Sequence, residues 1–144
     1  MSIPNIKIFM IAISCLLPPL TAWAKSPCDG IDRRLNLSEI PKLRIEAGHQ
    51  LNVDNVEILQ SFKSLSWTIL YAASDETDPA FLFYSDNPIN HHFITLWSGG
   101  AKPDEEQAIS SWLQKNAKGI PTNLAQCFVW HVTKDRDTNL RSKS

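Results

Sequence analysis

Glycine and cysteine are scarce in this chain, with five Gly and three Cys among 144 residues. No Cys-x-x-Cys occurs, which removes the thioredoxin-type redox motif and the commonest thiolate zinc signature. A glycine-rich phosphate loop, a His-Glu-x-x-His helix and a Gly-x-Ser-x-Gly elbow are missing as well. Neither sign of charge dominates: 14 Lys and Arg face 15 Asp and Glu. A nearly balanced surface has no electrostatic footprint for nucleic acid and no basic stripe for an anionic membrane. Nothing repeats at a solenoid period, and the composition is not that of a disordered chain.

What is present begins with a leader. Lys7 supplies a short basic region, and residues 8–17 are apolar apart from Ser14. Pro18, Pro19 and Thr21 follow, then Ala22-Trp23-Ala24, the small-x-small pattern cut by signal peptidase. Residues 1–24 therefore read as a cleaved signal peptide and the mature chain as starting at Lys25, periplasmic or secreted. A spanning helix needs roughly 20 apolar residues, and this run is shorter and broken by Pro18-Pro19, so no membrane span is expected after cleavage. Acylation at Cys15 is the alternative. It is disfavoured because Ala12 stands three positions before Cys15, where Leu is usual.

Cleavage leaves 120 residues, one domain by length, with 13 basic against 15 acidic side chains. It also leaves two cysteines, Cys28 and Cys127. In an oxidising compartment an isolated pair reads as a structural disulfide. The bridge would close a loop of about 100 residues, worth roughly 4.7 kcal/mol in the chain-entropy model.

The residue pattern predicts an α+β domain over 25–133. A helix is expected over 38–47, with Ser38 as cap, Pro41 in its first turn and Gly48 as stop. Period-two alternation marks a strand over 65–73, and stretches with apolar and aromatic residues read as strands over 56–61, 80–85 and 91–98. Short polar turns between them imply an antiparallel meander. Pro103-Asp104-Glu105-Glu106 opens a helix whose apolar face carries Ala108, Ile109, Trp112 and Leu113. Residues 128–132 read as a last strand, and 134–144 as a flexible polar tail. The expectation is thus a four- to five-stranded antiparallel sheet with helices packed on one face, in the order α-β-β-β-β-α-β.

No constellation reads as catalytic. His91 and His92, as neighbours on a strand, would point to opposite faces and could not chelate one metal together. His49 and His131 lie in other elements, and a zinc site needs three or four convergent ligands, so no metal and no cofactor are expected. Ser98-Gly99-Gly100 reads as a strand exit, and the acids at 104–106 as the first turn of a helix. The aromatic meander is the distinctive part, because Tyr84 and Trp97 lie on strands apolar at nearly every position. With helices on one face only, such side chains would form an exposed patch of the kind that marks a binding surface. Asp75 and Asp78, in the turn before the third strand, would supply its charged rim.

Small size, export, a closing disulfide and no catalytic set point to a protein-binding domain. The reading is an inhibitor or immunity protein acting on a secreted or envelope enzyme, with a homodimer as a further option. The alternatives are a small envelope hydrolase using His91 or His92 with a carboxylate such as Asp86, and a periplasmic small-ligand binder. Intact mass of the exported protein, alkylated without reductant, is expected to match a chain starting at Lys25 with no free thiol. Two alkylated thiols would contradict the bridge, and a retained leader the cleavage.

Overall fold

The computed structural model describes residues 25–135. Residues 1–24, where a signal peptide is expected, and residues 136–144, expected as tail, lie outside the described residues. The α+β class and the antiparallel meander are as expected. Helix α1 spans Ile40–Leu51, followed by β1 Glu57–Ser64, β2 Trp67–Ala73, β3 Ala80–Tyr84 and β4 Thr95–Ser98, then α2 Glu106–Asn116 and α3 Thr122–Trp130. The four strands form one sheet in the order β1-β2-β3-β4, every neighbour antiparallel.

Two details differ from the expected arrangement. The central strands are covered on both faces, while Leu96 of β4, beside Leu82, stays exposed. Trp67, Ile69, Phe81 and Phe83 pack with Ile109, Leu113, Leu124 and Phe128 of α2 and α3. The alternate positions Leu70, Ala72, Leu82 and Tyr84 pack with Leu43 and Ala47 of α1. The cause lies in the two central strands. All five residues of β3 and five of the seven in β2 are buried, so neither face could be left to water.

The second difference is the end of the domain. Residues 128–132, rich in aromatic and branched side chains, read as a strand but belong to α3 and the π-helical turn His131–Asp135 that continues it. Leu124, Cys127, Phe128 and Val132 are buried, a spacing of three and four that makes one helical face. Phe128 meets Phe83 and Phe81 edge-on, with ring centroids 5.0 and 5.2 Å apart. Tertiary packing outweighs strand propensity here. Lys134 and Asp135, placed in the tail on composition, are also part of this turn. Lys134 pairs with Glu106, and Asp135 Oδ2 lies 3.1 Å from His131 Nδ1 and 3.6 Å from an Arg33 guanidinium nitrogen.

Cys28 and Cys127 are joined in a disulfide, so the bridge ties the N-terminal segment to α3 rather than to a strand. That segment also clasps the sheet. Asp32 and Lys63 exchange backbone hydrogen bonds of 3.1 and 2.8 Å along the outer edge of β1, and the Arg33 guanidinium lies 5.0 Å from the centre of the Phe62 ring.

Helix α1 runs through Gly48 and stops at Asn52, which adopts a left-handed φ of 55°. Gly48 serves a different need: a Cβ there would stand 3.0 Å from the Val53 carbonyl oxygen. Two residues on, Gln50 fastens the helix to the segment before β4. Its Oε1 accepts from the Tyr84 hydroxyl and from the Phe93 N–H, each at 3.1 Å, and its Nε2 donates to the His91 carbonyl at 3.1 Å.

The helical reading of α3 makes a discriminating prediction. Phe128→Ala should cost about 3–5 kcal/mol, and Trp130→Ala, on the partly exposed side of α3, clearly less by denaturant unfolding. Equal costs at residues 128, 130 and 132 would indicate the period of a strand instead.

Candidate functional site: the hairpin end of the sheet

The residues singled out in the sequence do not converge. Tyr84 is 1% exposed, within the layer under α1, so the expectation that it forms a binding surface is not met. Burial, followed by the negative charge of Glu46, pushes its phenol well above the usual tyrosine range. Trp97 faces the other layer, packed edge-on against Trp112 at 5.1 Å, and its indole N–H is buried without an acceptor. Asp75 and Asp78 are exposed in the β2–β3 turn. Because Ala80 pairs with Ser98, this turn adjoins the Trp97 end of β4 and lies at the far end of β3 from Tyr84.

The fourth strand is shorter than expected. Residues 91–94 precede it as an irregular segment, so His91 and His92 do not sit on a strand and both are exposed. His91 Nε2 lies 3.9 Å from Asp86 Oδ2, which brings together the pair named for a hydrolase. Both side chains are more than half exposed. No group of three or more His, Cys, Asp or Glu side chains is arranged to hold a metal among the described residues.

The end of the sheet away from Asp75 and Asp78, which the hairpin shares with the loop after β3, holds a feature not anticipated from the residue pattern. Strands β1 and β2 are joined by Leu65 and Ser66, and Ser64 pairs directly with Trp67. Such two-residue hairpins require left-handed backbone and normally use Asn or Gly. Here Leu65 takes a φ of 55° and is 91% exposed. A leucine in this conformation is strained by roughly 1–2 kcal/mol, and its side chain gains nothing from burial. Leu37, 79% exposed, stands just before α1. The two leucines share one end of the molecule, since Glu39, two residues on, reaches Lys63 at 4.0 Å.

Polar contacts brace this end. Arg34 Nε donates to Asp32 Oδ1 at 2.9 Å, and the Arg34 backbone N–H to the same oxygen at 3.0 Å. The hydrogen bond from the Arg34 side chain is the main cause that holds the Asp32 carboxyl down at about 2. On the other side of the hairpin the Ser64 hydroxyl donates to Asn123 Oδ1 at 3.1 Å. The tip is therefore held by its base on both sides while Leu65 itself projects.

No family model, curated protein or solved structure matches the chain.

Two pH effects follow from these environments. The phenol of Tyr84 is raised in the folded state, so its contribution is intact below the unfolded-state value of about 10 and is lost as pH rises beyond it. Tyr84→Phe should flatten the alkaline limb of the stability profile while costing about 1 kcal/mol at neutral pH. An unchanged alkaline limb would contradict the burial account. Asp32 should titrate at about 2 by NMR and move up in Arg34→Ala, which removes the side-chain hydrogen bond and keeps the backbone one.

Proposed function

We propose that this protein is an exported protein-binding domain, an inhibitor or immunity protein directed at a secreted or envelope enzyme, and that it engages its partner through the β1–β2 hairpin tip. One observation carries the reading: Leu65 is at once strained and almost fully exposed. Folding favours Gly or Asn at such a position, so a projecting apolar side chain there makes sense as a contact made with another molecule. Leu37 widens the apolar contact. Arg34, Lys63 and Glu39 surround it with charges suited to steering and register.

The disulfide and the clasped N-terminal segment support the same reading. A binder that acts outside the cytoplasm gains from a rigid frame, because a preorganised surface loses less entropy on association. The exposed acids Asp75 and Asp78 lie at the other end of the sheet and are assigned no contact with this partner.

Leu65→Asn separates stability from binding. The variant should be more stable than wild type by about 1 kcal/mol, since asparagine tolerates the left-handed conformation. It should also lose about 2 kcal/mol of partner affinity, the scale of an interface hot spot, or about thirtyfold. The partner is first captured from the envelope fraction of the producing organism with wild-type protein, and its affinity then measured for both forms. Unchanged affinity in Leu65→Asn would contradict the proposed surface, and so would a wild-type protein that captures nothing.

A further inference from the structure

Beside the hairpin tip a cleft of about 230 Å³ opens between the start of α1, the β1–β2 hairpin and the loop after β3. Ser66, next to Leu65, lines its mouth. Its floor is formed by Leu43 and Leu70, both buried. Into this setting the sheet contributes Thr68, 5% exposed, whose hydroxyl has no protein hydrogen-bond partner among the described residues. One step further in, on the same face of the sheet, the Ser61 hydroxyl is buried and also without a partner. For Ser61 a buried, unsatisfied hydroxyl costs about 1–3 kcal/mol, whereas Thr68 lines the cleft.

The rim is charged. Glu39 and Asp86 stand on it with Lys63, so acids outnumber bases two to one. Glu39 and Lys63 are 4.0 Å apart. Asp86 Oδ2 lies 3.9 Å from His91 Nε2, and its Oδ1 accepts from the Asn87 N–H at 2.7 Å. Each carboxylate retains acceptor capacity beyond these contacts, because an ionised carboxyl offers about four lone-pair sites.

We propose that this cleft receives the side chain of a lysine supplied by the protein partner. A lysine joins an aliphatic stem to a compact head with three donors. The stem matches the Leu43 and Leu70 floor. Thr68, Glu39 and Asp86 supply acceptors of three different origins around the head. The cleft is smaller than the roughly 300–1,000 Å³ of drug-sized sites, which suits one side chain. The inference rests on the partner reading above, since the cleft opens beside Leu65 and a partner lying on that leucine would pass over it.

The test uses Nα-acetyl-L-lysine methylamide as probe, with the norleucine analogue as its uncharged counterpart, followed by amide NMR on the folded protein. The lysine probe should produce saturable shifts at Ser66, Thr68 and Asn87, and the norleucine analogue none. Asp86→Asn, at an exposed position, should weaken the lysine probe about tenfold, as expected for a lost charge-assisted hydrogen bond. Thr68→Val should weaken it comparably, with thermal unfolding used to confirm that the fold is kept. Equal shifts from both probes, no saturable shift, or an unaltered response in both variants would overturn the proposal. The two readings fail separately. If the probe does not bind while Leu65→Asn still releases the captured partner, the lysine site falls and the partner surface stands. If the probe binds but the partner is indifferent to Leu65→Asn, the assignment of the lysine to that partner is overturned.

Discussion

The two central strands have no polar face, and the rest of the architecture answers that constraint. Ile69, Phe81 and Phe83 point one way, Leu70, Leu82 and Tyr84 the other, and each is at most 1% exposed. A sheet of this kind cannot leave one face to solvent, so the chain must supply a layer before the meander and another after it. Helix α1 provides the first with Leu43 and Ala47. Helices α2 and α3 provide the second with Ile109, Leu113, Leu124 and Phe128. The sequential meander keeps the strand pairings local, and the helix layers are then fixed from outside by the disulfide and by Gln50.

Those fastenings divide the labour. The Cys28–Cys127 bridge holds α3 to the N-terminal segment, and that segment in turn pairs along β1 through Asp32 and lays Arg33 over Phe62. Gln50 does the equivalent for α1, satisfying a buried phenol and two backbone groups of the segment before β4 with one amide. Both devices close gaps that hydrophobic packing leaves at the ends of layers. Between them they leave the β1–β2 hairpin supported at its base, with Leu65 unsupported at its tip.

Much of this was legible in the residues. Alternation in Trp67-Thr68-Ile69-Leu70-Tyr71 and the Asp86-Asn87-Pro88 turn gave the meander, and two cysteines in a reading of export gave the bridge. The last element was misread because Phe128-Val129-Trp130-His131-Val132 has strand composition in every local window. Its helical character shows only when Leu124 and Cys127 are included in the period. One-sided packing failed for a related reason, since unbroken apolar strands can mean either an exposed patch or a second cover. Tyr84 followed that error. Leu65 escaped notice because it continues the alternation of β2. The one clue was a two-residue connection lacking Gly and Asn, and it becomes visible only once Ser64 and Trp67 are known to pair.

With both faces of the central strands covered, the proposed recognition is assigned to the hairpin end, where the strained and exposed Leu65 projects. Backbone amide hydrogen exchange of the protein, free and bound to its captured partner, addresses this most directly. Binding is predicted to slow exchange over residues 63–68 and 36–39 and to leave β4 and the β2–β3 turn unchanged. New protection confined to β4 or to residues 74–79, with the hairpin exchanging as in the free protein, would contradict the account.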